Sequence, residues 1–170
     1  MTRQLHFIGL GGGGCNAVEY IYGKGVQAKY TCISHPERST LSSDIRFFTF
    51  ARLNKKDLFD EYDLVRKNRR YILLTGLGGN TGTYLVEEFI HLLQYHNRDF
   101  LAICSLPFTF EGQQRRIIAN RVWTKFQSMN NFICFDLNSI VRRWGDMTLT
   151  EAFEKADERF YWLSQVENYN

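Results

Sequence analysis

Short apolar runs alternate along this chain with longer stretches whose apolar positions return every three or four residues. The short runs are rich in β-branched and aromatic side chains and predict strands. They fall at Gln4 to Ile8, Lys29 to Ser34, Ile45 to Phe50, Tyr71 to Thr75, Phe100 to Ser105 and Phe132 to Phe135, with the third read as an edge. Helical spacing predicts a helix over Asn16 to Tyr22, closed by Gly23-Lys24-Gly25, and a weakly amphipathic one over Lys55 to Lys67. It returns over Gly82 to Tyr95 through Leu85, Val86, Phe89, Ile90 and Leu93. It returns again over Glu111 to Met129, with a stripe at Ile118, Val122, Phe126 and Met129. A short helix is expected after Asn138. Thr148-Leu149-Thr150-Glu151 has the form of a capping box, so a long last helix should start there. The alternation predicts an α/β, doubly wound fold: a mostly parallel six-stranded sheet with helices on both faces. Ligands in such folds bind outside the carboxyl ends of the strands.

Two turns carry the candidate chemistry. The central strand runs into Gly76-Leu-Gly-Gly-Asn-Thr-Gly-Thr83, and the first strand into Gly9-Leu-Gly-Gly-Gly-Gly-Cys-Asn16. A strand, a glycine-rich turn and a helix start make a place for phosphate. The first helical N–H groups have no partner within the helix, and the helix dipole adds partial positive charge there. Two such turns are far more specific than one.

Composition narrows the class. With 170 residues and 44% hydrophobic content, one globular domain is the natural count. The net charge of +3, from 21 basic and 18 acidic residues, is too mild to imply nucleic acid. No apolar run approaches a membrane span and no signal peptide precedes the first strand, so a cytoplasmic protein is expected. Cys15, Cys32, Cys104 and Cys134 lack metal-ligand spacing, and the last three sit in apolar strands. His6, His35, His91 and His96 are given no role, and Lys67-Asn-Arg-Arg70 reads as a solvated turn.

The order and spacing of these motifs resemble FtsZ, the bacterial division GTPase of the FtsZ/tubulin family. The match includes both glycine turns, Leu106-Pro-Phe-Thr-Phe-Glu-Gly-Gln-Gln-Arg115, Asn138 and Glu151-Ala-Phe-Glu-Lys-Ala-Asp157. It corresponds to the family's N-terminal nucleotide-binding domain and the start of its central helix, which makes residues 1–170 a single guanine-nucleotide-binding domain. The resemblance implies GTP or GDP as ligand, with Mg²⁺ carried through the phosphates. Gly11, Gly12, Gly13 and Asn16 match positions that cradle the α and β phosphates. Gly78, Gly79, Asn80, Thr81, Gly82 and Thr83 match the loop that holds the β and γ phosphates. Glu111 and Arg115 match a pair at the ribose and nearby phosphate. Asn138, Phe153 and Asp157 match the guanine pocket, where a ring stacks on the base and a carboxylate accepts its protons.

Other readings stay open. Gly9-x-Gly11-x-x-Gly14 also fits a dinucleotide fingerprint, although no acidic residue follows the second strand and the second glycine turn has no place there. Phe153 alone is more often core, and Asp157 alone a solvated charge. The chain also departs from the family. Ala51 to Asp57 lacks its glycine-alanine turn, Ser34-His35-Pro36 replaces Asn-Thr-Asp, and Asn80 and Tyr84 stand where glycines are usual. The acidic loop that completes hydrolysis in a neighbouring subunit is not among these residues, so no catalytic residue is assigned, and with Mg²⁺ held through phosphate oxygens and water no protein metal site is expected. The expectation is a nucleotide-loaded interaction module without turnover, and the second class is a GTPase that works only when a partner supplies the acidic loop. That partner would be a full-length FtsZ/tubulin-like protein or a second copy, docking through the last helix at Phe160, Tyr161, Trp162 and Tyr169. A degenerate domain used only for protein contact is the third class.

Overall fold

The computed structural model describes residues 3–35, 42–50 and 66–165. Six strands form one sheet in the order β3-β2-β1-β4-β5-β6, every neighbouring pair parallel. They are β1 (Gln4–Leu10), β2 (Lys29–Ser34), β3 (Ile45–Thr49), β4 (Arg69–Gly76), β5 (Asp99–Leu106) and β6 (Phe132–Asp136). The helices are α1 (Gly11–Gly23), α2 (Asn80–Tyr95), α3 (Gln113–Phe126), α4 (Asn138–Trp144) and α5 (Leu149–Gln165), with a 3-10 turn at Thr109–Glu111.

Alternation along the strands divides the core. Ile8, Leu10, Tyr71 and Leu73 face one way and pack with Leu85, Phe89 and Val122 of α2 and α3. Phe7, Ile72, Leu74, Leu101 and Ile103 face the other way, against Val18 and Ile21 of α1 and Phe160 of α5. Strands buried on both faces explain why their sequences read as continuous apolar runs. Strand order reverses between β1 and β4, and the crevice of a doubly wound sheet opens at such a point.

The expected fold is the observed one, and β3 lies at the sheet edge. The Thr148 box forms: the Thr148 N–H donates to Glu151 Oε2 at 2.7 Å, and the Glu151 N–H to Thr148 Oγ1 at 3.2 Å. Three expectations need correction. α1 starts at Gly11 rather than Asn16, because the glycine run is itself the first helical turn. Glu111 closes the 3-10 turn instead of opening a helix, since Gly112 at φ +106° separates it from α3. Arg69 is buried within β4 rather than solvated in a turn. Arg66 and Lys67 are not helical, and the rest of the expected Lys55 to Lys67 helix lies outside the described residues, as do positions 51–57. Among the described residues no helix is long and apolar enough to cross a membrane.

Candidate anion-binding site at the sheet switch point

The turns after β1 and β4 touch through their backbones. Gly11 enters α1 at φ +73°, in the left-handed region that favours glycine. A Cβ added there would lie 3.0 Å from the Gly82 Cα. Gly82 is tighter still, since a Cβ would meet Thr75 Oγ1 at 2.4 Å and the Leu10 carbonyl oxygen at 2.7 Å. Glycine at both positions is what allows two helix starts to converge.

Neither start is capped. Among the described residues no side chain caps α1 or α2, and neither first turn carries an acidic residue. The first turns and the positive ends of both helices therefore face a cavity of about 320 Å³. Gly11, Gly12 and Gly13 line it from one turn, and Gly79, Asn80, Thr81 and Gly82 from the other. Such a place suits phosphate.

Side chains build the opposite wall. Glu111 Oε2 accepts the Phe108 N–H at 2.8 Å, which fixes the 3-10 turn. Arg115 lies 3.5 Å from Glu111 Oε1 and is 55% exposed, so its guanidinium sits at the rim with room to move. Both line the cavity, as does Phe153, 38% exposed, whose ring stands edge-on to buried Phe108 at 5.4 Å. Arg116 braces this wall from behind by a fork to Asp136, at 2.6 and 3.1 Å, and a bond to the Pro107 carbonyl at 2.9 Å. Burial opposes charge on Asp136, but hydrogen bonds from Arg116 and the Asn138 N–H outweigh it and hold the carboxyl below its ordinary range.

Ten of the fifteen residues matched in sequence thus line one cavity. Five do not. Thr83 is buried and its Oγ1 accepts the Gly78 N–H at 2.9 Å, so these two shape the second turn from within. Asn16 is exposed on α1. Asn138 Oδ1 accepts from the Thr109 N–H at 2.9 Å and lies near its hydroxyl at 3.1 Å, holding the 3-10 turn rather than the cavity. Asp157 is half-buried one turn beyond Phe153, beside the lining residue Ala156. His35 and Ser105 line the cavity and were not singled out; both follow from one signal, the carboxyl ends of β2 and β5. Among the described residues, no three His, Cys, Asp or Glu side chains are grouped to hold a metal ion.

Comparison with known proteins agrees with this geometry. The FtsZ dimer of M. jannaschii, solved without ligand, superposes with a TM-score of 0.80 at 20% identity, covering 95% of this chain and 53% of that one. The fold is that of FtsZ and tubulin. A GDP-bound monomer of CetZ1 from Haloferax volcanii shares it at a TM-score of 0.66 and 18% identity, over 93% of this chain and 58% of its own. In sequence the FtsZ-like chain is 23% identical to FtsZ of Coxiella burnetii over 177 residues, 92% of this chain and 46% of that protein. FtsZ of Mycoplasmopsis pulmonis is 24% identical over 175 residues, 92% and 45%. The FtsZ-like chain spans about half the length of the curated relatives it matches. No protein-family model matches it.

Proposed function

We propose that this FtsZ-like chain binds GTP or GDP across the switch point of its sheet. The observation that carries the reading is the convergence of two uncapped helix starts on one cavity. The α1 turn, with Asn16 at its outer side, takes the α and β phosphates. The α2 turn, shaped by Gly78 and Thr83, takes the terminal phosphates, and Mg²⁺ arrives with the nucleotide through phosphate oxygens and water. Arg115 supplies a fork for phosphate, and Glu111 accepts from ribose hydroxyls. Phe153 offers a ring face to the base and Asp157 a carboxylate to guanine, with Asn138 fixing the turn beside them.

Glu111 is the one acidic side chain lining the described cavity, and it already holds the Phe108 N–H and Arg115. Positioning an attacking water is most of what nucleoside triphosphate hydrolysis asks of a protein. The group that positions this water is therefore one outside the described lining of the cavity. A cytoplasmic, cytoskeletal role follows from the same likeness, with a filament-forming relative or a second copy as protein partner. Chromatography of nucleotide released from protein purified without added ligand tests the reading. GDP or GTP in near-stoichiometric amount is expected; protein that carries no nucleotide and takes up none overturns it.

A further inference from the structure

The exposed side of α5 is divided lengthwise by charge. At about 100° per residue, Glu151, Glu154 and Glu158 fall along one flank and Lys155 and Arg159 along the other, with Trp162 between them. Each flank borders a groove. The basic groove, about 340 Å³, lies between α4 and α5 and adds Arg143 and Trp144. The acidic groove, about 440 Å³, lies on the other side of α5 and adds Asp146, Met147 and Tyr20. Lys155 and Glu158, paired at 3.0 Å, line both and form the ridge between them.

This surface also exposes two large aromatic side chains. Trp144 and Trp162 are 54% and 57% exposed, and Arg143 and Lys155 lie over the Trp144 ring at 5.4 and 4.6 Å. The last-helix surface expected from sequence is therefore shifted. Phe160 is buried against Phe135 at 4.9 Å, Tyr161 is half-buried beside Tyr20, and Tyr169 lies outside the described residues.

We propose that this face docks a second copy of the chain about a two-fold axis running parallel to α5. A two-fold contact places one surface against itself. An axis across the helix would set basic flank on basic flank. An axis along it sets the basic groove of each copy against the acidic groove of the other, twice, and brings the two Trp162 side chains together at the centre. Aromatic anchors inside a charged rim are the usual anatomy of an interface. The two grooves share no lining residue with the cavity at the glycine turns, although α5 also lines that cavity through Phe153, Ala156 and Phe160 on another side, so the proposal does not rest on the nucleotide reading.

Light scattering across a dilution series tests it with two charge-reversed variants of the full chain. Arg143→Glu with Arg159→Glu makes both flanks acidic, and Asp146→Lys with Glu154→Lys makes both basic. The unaltered chain is expected to dimerise, and each variant alone to dissociate at a concentration at least about tenfold higher. An equimolar mixture of the two variants should dimerise again, because each then offers what the other lacks. Circular dichroism and bound nucleotide, measured on the same samples, separate misfolding and failure of the nucleotide reading from loss of association. A monomeric unaltered chain, a dimer indifferent to both variants, or folded variants that do not recombine each overturn the proposal.

Discussion

The two ends of the sheet are built in opposite ways. At the carboxyl ends of β1 and β4 the backbone is exposed, side chains are missing, and two helices start without caps. At the amino ends a surface cavity of about 310 Å³ lies between Gln4 and Arg69, but the sheet interior behind it is filled by side chains. His6 is 2% exposed, bonded through Nε2 to Thr31 Oγ1 at 2.8 Å, with Nδ1 buried and without a partner among the described residues. Arg69 is buried nearby, and Lys29 and Arg46 add positive charge. One end leaves polar groups ready for a ligand; the other closes round a neutral imidazole. Binding and stability are therefore separable by position, and each of the following experiments tests that separation.

The largest effect belongs to Gly82→Ala. The new Cβ meets backbone at Leu10 as well as the Thr75 hydroxyl, so the two turns must part. A loss of roughly 2–4 kcal/mol in stability is expected from overpacking of this kind, together with loss of nucleotide binding. Urea unfolding and calorimetric titration with GDP check both. Full affinity in the variant would mean that the turns need not touch.

At the closed end the expected effect is on stability alone. Burial, and then the charges of Arg69, Lys29 and Arg46, lower the His6 pKa from 6.5 to about 3. The folded state holds the neutral ring while the unfolded chain takes up a proton near 6.5, so stability is complete above that pH. It falls as the pH drops from 6.5 towards 3, by roughly 1.4 kcal/mol per pH unit once the unfolded ring is protonated. His6→Gln should remove this part of the slope between pH 6.5 and 5 in urea titrations. A slope unchanged by the substitution would place the acid sensitivity elsewhere.

Phe153→Ala sharpens the comparison from within the binding end. The ring is partly exposed, so little stability depends on it, whereas base stacking is worth about 1–3 kcal/mol. GDP affinity should fall by about tenfold or more with the unfolding midpoint nearly unmoved. A smaller effect is expected from Thr148→Ala, which removes one side of the capping box at the start of α5. That should lower stability by about 1 kcal/mol and leave binding close to unchanged.

What was legible in the sequence follows the same division. The apolar runs, the two glycine turns and the Thr148 box each carry their physical cause in a few neighbouring residues, and each appears where it was expected. The start of α1 was missed because glycine disfavours helix locally, while close packing of α1 on β4 demands it: a Cβ on Gly14 would lie 2.1 Å from the Leu74 carbonyl oxygen. Glu111 was placed on a helix because its spacing to Arg115 suits one, yet the positive φ of Gly112 breaks the chain between them. His35 and Ser105 stand at the readable carboxyl ends of β2 and β5, but their meeting at one cavity, like the burial of Arg69, depends on which strands are neighbours. Strand order sets that, and no local pattern encodes it.

The central claim is that the cavity at the switch point is made for a guanine nucleotide. Competition between GDP and ADP for the purified, nucleotide-stripped chain tests it most directly. A half-buried carboxylate that accepts two guanine protons in the bound complex is worth at least about a hundredfold in preference, and Asp157→Ala should shrink that preference by about tenfold or more. GDP bound far more tightly than ADP, with the margin narrowed in the variant, is the predicted result. Equal affinity for the two nucleotides in the unaltered chain would contradict the account.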